Sequence, residues 1–277
     1  MHRELDITLD RISKIEGSAS LEIKIRKNKI KKVKLKVTEN KRFYTQAIRG
    51  KHCLSVHQIV SRICGTCSIA HLLCCIEAVE KALDIEVSEQ TKLLRKLALY
   101  GTMIRDHALH LYFFVVPDIM QVDSILEIDN VKLLEQAFRI KAAGNALASL
   151  IGGRAIHPTN IQVGYLEKVP ENKNEIKRVI NALKGIRNDV IDLIEIMDKC
   201  DFTFKRDRIF VALVTKDYTF LEGEIRSSDG TVIKEENYWD YLNRVIIPYS
   251  QATGFKFKAQ EYMVGALARM NLNKDAI

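Results

Sequence analysis

The hydrophobic period of this chain changes near residue 54, and that change limits what it can fold into more than any other feature. Before it, Leu21, Ile23 and Ile25 alternate with charged residues, and Val33, Leu35 and Val37 alternate with Lys32, Lys34 and Lys36. A period of two belongs to a strand with one buried and one solvated face. The pattern predicts a hairpin turning at Lys27-Asn28-Lys29, with Ile7-Thr8-Leu9 as a further strand and residues 14–18 as a polar turn between them. Beyond the change the spacing is helical and predicts helices over 54–62, 67–83, 88–116, 131–151 and 175–197. Pro117 and Gly152-Gly153 supply stops, and Ser88, Glu89 and Gln90 supply a start. The remainder is mixed: a strand over 208–214, a hairpin over 220–234 turning at Asp229-Gly230, and a short helix over 238–245. The fold class predicted is α+β, an N-terminal antiparallel sheet packed on a large helical core. It reads as a single domain with a sheet region at 1–53, a helical core at 54–200 and a mixed segment at 201–277.

The formal charge is +8, much of it between residues 24 and 36. The lysines there sit on one face of the predicted hairpin, and no aromatic residues interleave them as a base-stacking surface requires. A nucleic-acid partner is therefore not expected; edge lysines also discourage strand-to-strand aggregation. No apolar run approaches the ~20 residues that cross a bilayer, and Met-His-Arg-Glu-Leu-Asp is no signal-peptide core. The expected location is the cytoplasm, where the six cysteines stay reduced as ligands or core residues.

The chemistry concentrates in Arg62-Ile63-Cys64-Gly65-Thr66-Cys67-Ser68-Ile69-Ala70-His71. Two cysteines three apart can turn both sulfurs toward one metal. Gly65 offers backbone freedom between them. A helix starting near Ser68 brings its positive dipole end to the sulfurs and favours the thiolates. On these residues alone, a zinc site completed by Cys53, His52, His57 or His71 stands beside a pair of core cysteines. His71 lies one helical turn past Cys67, so its ring can reach back over that sulfur. Cys74 and Cys75 read as small core residues, and Glu16 by itself reads as a surface glutamate before a turn.

The motif R-I-C-G-x-C-x-x-x-H resembles the first metal-binding motif of nickel–iron hydrogenase large subunits, in the flavour of the soluble cytosolic group. Further blocks follow in that family's order: Ile15-Glu16-Gly17, Asp106-His107-Ala108-Leu109-His110-Leu111-Tyr112, Gly152-Gly153-Arg154-Ala155-Ile156-His157-Pro158, and residues 261–269. The resemblance implies a nickel–iron centre held by four cysteines, its iron carrying cyanide and carbon monoxide, for heterolytic oxidation of H2 and reduction of protons. By position it makes Cys64 a terminal nickel ligand and Cys67 a bridge to iron. It makes His71 a hydrogen-bond donor to the bridging thiolate and Glu16 the first acceptor of the proton. Asp106 would hydrogen-bond an arginine from the C-terminal part, while His107, His110 and His157 read as structural. The implied partners are hydrogenase maturation proteins and an iron–sulfur small subunit.

The chain also departs from that pattern. Lys14 and Ser18 replace the usual arginine and histidine beside Glu16, and Thr45 stands where a glutamate usually binds magnesium, a poor ligand for that hard cation. The second motif, D-P-C-x-x-C, does not occur, and Cys200 is the only cysteine after position 75. The expectation is an N-terminal portion of a large subunit, inactive alone and open on apolar surfaces, whose second cysteine pair comes from a C-terminal polypeptide. The alternatives are a non-catalytic hydrogenase-like subunit of an electron-transfer complex and a zinc-stabilised assembly module.

Overall fold

The computed structural model describes residues 4–39 and 41–276. Strands β1 (Leu5–Leu9), β2 (Ala19–Arg26) and β3 (Lys29–Val37) form an antiparallel sheet in that order. Lys27 and Asn28 both take left-handed angles, φ 52° and 60°, as a two-residue turn matched to strand twist requires. Register places Ile7, Ile23 and Val33 in one row and Leu9, Leu21 and Leu35 in the next. On the opposite face, Arg26 pairs with Asp6, and Lys24 and Lys32 both reach Glu22. The apolar face is more open than its pattern predicts. Ile30, Val33 and Leu35 are 67, 56 and 58% exposed, so the alternation marks a face that this chain leaves largely uncovered.

Helices α1 (Lys41–Ile48) and α2 (Val56–Val60) lead to α3 (Ser68–Leu83), α4 (Glu89–His110), α5 (Val116–Ile119), α6 (Val131–Gly152), α7 (Lys173–Gly185) and α8 (Arg187–Asp198). Short 3-10 turns over Cys53–Ser55 and Ser61–Ile63 flank α2, so the expected 54–62 helix is a broken one. The Ser88 hydroxyl accepts from Thr91 N at 3.2 Å to open α4, and the Asn130 side chain caps α6 in the same way. Helices α4 and α6 cross through glycines: a Cβ on Gly101 would lie 2.7 Å from Ala148 N, and one on Gly144 2.7 Å from Arg105 N.

Two helix boundaries differ from the periodic reading. Beyond His110 a π-helical turn, Leu111–Val115, joins α4 to α5. Pro117 then falls in the first turn of α5, where a missing N–H removes no bond, and it does not stop the chain. The single helix expected over 175–197 is two, because the backbone turns at Gly185-Ile186. Glycine weakens helix continuation, and the turn buries Ile186 with Tyr112, Leu133, Ile140 and Leu193 in one apolar core.

The C-terminal segment carries β4 (Ile209–Val214), β5 (Glu224–Ser227) and β6 (Val232–Lys234) as an antiparallel set. Strands β7 (Leu242–Val245) and β8 (Gly254–Phe257) form a hairpin, β9 (Tyr262–Met263) runs parallel to β4, and α9 (Ala266–Leu272) follows. The helix expected over 238–245 is instead a 3-10 turn, Glu235–Tyr241, followed by β7. Pairing of Leu242 with Phe257 and of Arg244 with Phe255 overrides the local pattern.

Met1–Gln46 with Lys205–Ile277 form one compact unit, and Ala47–Phe204 form another. Within the first, Gln251 N donates to Val37 O at 2.9 Å and Val37 N to the Ser250 hydroxyl at 3.1 Å, tying the C-terminal segment to β3. No helix among the described residues is long and apolar enough to cross a membrane.

Candidate metal centre

Cys64 ends the 3-10 turn in an extended conformation (φ −142°, ψ 145°), and Cys67 stands at the N-cap of α3. That geometry turns both side chains inward across Gly65-Thr66. Their Cα atoms are 5.5 Å apart and their sulfurs are joined as a disulfide, where the sequence reading expected free thiols. The separation falls in the range a bridge needs; reduction leaves two thiols converging at a helix N-terminus. Cys67 N lies 3.2 Å from the Cys64 sulfur and donates to it, and the Thr66 hydroxyl is 3.4 Å from the same atom. The backbone N–H contact would favour a thiolate at that sulfur once the bridge is reduced. Gly65 plays a smaller part than expected, since it lies outside the left-handed region and a Cβ there would meet nothing within 4 Å.

Three supports hold the thiol loop from outside. From α4, the Arg105 guanidinium donates through Nη2 to the Thr66 carbonyl, between the two cysteines, and through Nη1 to Ala155 O at 2.8 Å. From the loop after α6, His157 N donates to the Ser68 hydroxyl at 3.0 Å, and His157 Nδ1 donates to Ser61 O at 2.9 Å. The second contact fixes which imidazole nitrogen carries the proton. The Gln58 side-chain amide donates to Pro158 O at 3.4 Å. Residues 155–158 thus grip the loop on both sides of the cysteine pair. His157 takes a left-handed φ of 51° to reach both partners.

A buried ion pair steadies the neighbouring loop. Arg95 makes a two-pronged contact with Glu80 at 2.9 and 2.7 Å, Arg95 Nη2 also donates to Gln162 O, and Gly164 N donates to Glu80. The Gln162 side chain in turn accepts from His57 Nε2 at 3.0 Å. Burial lowers the His57 pKa and keeps the ring neutral.

The other expected site residues are distributed unevenly. His71 is half-buried one turn past Cys67; its ring makes no hydrogen bond to either sulfur, and burial lowers its pKa. Asp106 is half-buried and follows Arg105, whose charge it favours. Glu16 lies in the other unit, exposed in the turn between β1 and β2. His107 and His110 are exposed, as are Cys53 and Thr45; Cys74 is exposed too and Cys75 only half-buried, where the sequence pattern predicts two core residues. No group of three or more His, Cys, Asp or Glu side chains gathers as a metal cage among the described residues. The donors that do converge are two sulfurs, which suit soft or borderline metals such as nickel, iron or zinc and not magnesium.

Sequence reasoning passed over Arg105, Ser61 and Ser68 as site supports. A signal for Arg105 existed: Gly101, Arg105, Ala108 and Tyr112 recur at helical spacing, and all four are buried, so the arginine lies on the inner stripe of α4.

Comparison with known proteins gives a family and a fold. Residues 42–147 match the sequence model of the family described as nickel-dependent hydrogenase. The chain is 32% identical to the alpha subunit of Sulfhydrogenase 1 of Pyrococcus furiosus, over 99% of this chain and 65% of that protein. It is 32% identical to the alpha subunit of Sulfhydrogenase 2 of the same organism, over 98% of this chain and 64% of that protein. It is 30% identical to a vhu subunit of the F420-non-reducing hydrogenase of Methanocaldococcus jannaschii, over 96% of this chain and 70% of that protein. The chain therefore spans about two thirds of the length of these relatives. Among solved structures, an NAD+-reducing [NiFe]-hydrogenase in the H2-reduced state superposes with a TM-score of 0.84 at 19% identity, over 98% of this chain and 66% of that one. A [NiFeSe]-hydrogenase of Dm. baculatum superposes with a TM-score of 0.77 at 19% identity, over 98 and 68% of the two chains.

Proposed function

The chain belongs to the nickel-dependent hydrogenase family, and from that premise we propose that residues 1–277 are the N-terminal portion of a large subunit that oxidises H2 and reduces protons. The observation that carries this reading is the convergence of Cys64 and Cys67 at the start of α3, gripped from α4 and from residues 155–158. Cys64 is assigned as a thiolate that would hold the nickel of a nickel–iron group, and Cys67 as one that would hold both metals; the iron would carry cyanide and carbon monoxide. A nickel–iron group, when bound, supplies the Lewis acidity that makes heterolysis of H2 accessible near neutral pH.

The remaining roles belong to the chain. The cysteines must be reduced to thiolates before they bind metal, so binding tightens as pH rises. His71, kept neutral by burial, is assigned as a hydrogen-bond donor toward Cys67, a contact its ring would have to make once metal is bound. Glu16 is assigned as first proton acceptor, which requires its carboxylate within hydrogen-bond reach of the centre during turnover. Asp106 is assigned to hydrogen-bond an arginine supplied from outside residues 1–277. Magnesium is assigned no role, because Thr45 offers no carboxylate for it. A second cysteine pair must come from outside residues 1–277, alongside maturation proteins and an iron–sulfur small subunit, and the assembly is assigned to the cytoplasm.

The test is metal analysis with H2-dependent dye reduction, on the chain alone and with a polypeptide carrying D-P-C-x-x-C. Activity is expected only in the second case, and Cys64→Ser should abolish it. H2 uptake by the chain alone would refute the four-thiolate account. Inactivity in both, with one tightly held zinc, would transfer the thiol loop to a structural zinc site.

A further inference from the structure

Arg105 is 1% exposed and carries no ion pair with a carboxylate among the described residues. Its Nη groups serve the Thr66 and Ala155 carbonyls, and its buried Nε has no partner. Burying a guanidinium without a neutralising anion is unfavourable, and burial lowers its pKa while Asp106 opposes that shift. The other buried arginine of this unit, Arg95, is answered in full by Glu80. Asp106 favours the Arg105 charge but forms no ion pair with it, so the guanidinium is only partly answered and leaves room for negative charge at the loop above it.

We propose that Arg105 is the positioning residue of the metal centre: its fork fixes the Thr66 carbonyl between the two ligands, and its charge offsets the thiolates of Cys64 and Cys67. The inference rests on the metal-centre reading. Two thiolates are neutralised by one bound divalent ion, and each further thiolate that joins the site adds a negative charge that Arg105 can offset. The Arg105 contact lies on the backbone of the intervening residue, so it orients the loop without competing for the sulfurs.

Co2+ titration of the reduced 277-residue chain, followed by its thiolate charge-transfer absorption, separates the possibilities. Substitutions in the shell behind metal ligands typically weaken metal binding ~10–100-fold, so Arg105→Gln is expected to lose at least about tenfold. Arg105→Lys, which keeps the charge, should recover most of that loss. Asn145→Asp provides a variant that keeps Arg105 and the fold: Asn145 Oδ1 is 3.5 Å from Arg105 Nη1, so a carboxylate there would pair with the guanidinium. A purely structural arginine predicts unchanged metal binding in Asn145→Asp with equal or higher Tm; charge compensation predicts weaker binding at that same Tm. Cobalt binding unchanged in both Asn145→Asp and Arg105→Gln, yet lost in a Cys64→Ser/Cys67→Ser control, would overturn the role of Arg105 and leave the metal centre standing. Equal losses in Arg105→Lys and Arg105→Gln would overturn the charge argument. Cobalt binding that survives the double serine control would instead overturn the metal-centre reading.

Discussion

Replacing Gly144 with alanine tests whether the α4–α6 crossing holds the thiol loop in place. The added Cβ would lie 2.7 Å from Arg105 N, 2.7 Å from Gly101 O and 3.1 Å from Arg105 Cα. Ordinary carbon contacts need about 3.5–4.0 Å, and every atom met is backbone, so no side chain can swing aside. The helices must part by about 1 Å along the crossing. Overpacking of this kind costs about 1–3 kcal/mol, and an unyielding backbone places it at the upper end. Alanine returns roughly 1 kcal/mol of helix propensity over glycine, leaving a net loss of about 2 kcal/mol. For a unit of this size, that lowers Tm by about 4–8 °C. Gly185→Ala is the matched control, because a Cβ there meets nothing within 4 Å, and its expected effect is neutral or slightly stabilising. Thermal and urea denaturation followed by circular dichroism would measure both. A Gly144→Ala chain as stable as the native one would refute the claim that these glycines set the helix spacing. A destabilised chain with undiminished cobalt binding would show that the crossing does not govern the loop through Arg105.

Other outcomes follow from the same contacts. Arg95→Ala should cost about 3–5 kcal/mol, because it strands the buried Glu80 carboxylate; an apolar pair at both positions should recover most of it in denaturant unfolding. Burial lowers the pKa of His57 and His71, so the folded chain resists their protonation. The unfolded chain then binds more protons just below the ordinary histidine range, and stability should fall as pH drops below about 6.5. A His57→Asn/His71→Leu chain with the same pH profile would contradict that assignment. Burial raises the thiol of Cys75, which is half-buried while Cys53, Cys74 and Cys200 are exposed, so iodoacetamide at neutral pH should label Cys75 last, as read by mass spectrometry.

The local pattern was readable where one neighbour decides the outcome. Alternating residues around Lys27-Asn28 specify the first hairpin, and the helical spacing of α3 and α6 needs only an apolar stripe and a cap. It failed where a distant partner decides. Residues 242–245 join β8 as a strand although their spacing suits a helix, and Ile186 breaks a helix because the core behind it is better filled that way. The apolar rows of β1–β3 state that a face seeks cover, not which residues provide it. At the site, the cysteine spacing is legible because ligand chemistry demands it. Arg105 is not, because a mid-helix arginine usually faces water, and only its phase against Gly101 and Tyr112 reveals that it points inward.

The π turn at Leu111–Val115 makes one helix answer to two neighbours that require different phases. Upstream, the angular setting is dictated by Gly101 against α6. Downstream, it is dictated by Val116, fully buried in the same core as Leu193 of α8. Each residue advances a helix by about 100°, so the widened turn shifts everything after it out of step with an unbroken α-helix. The span from Gly101 to Val116 is therefore constrained in residue count and not merely in length. A single insertion or deletion there would leave sequence composition almost untouched, yet it would rotate one of the two faces out of its mesh, as a skipped tooth does in a gear train.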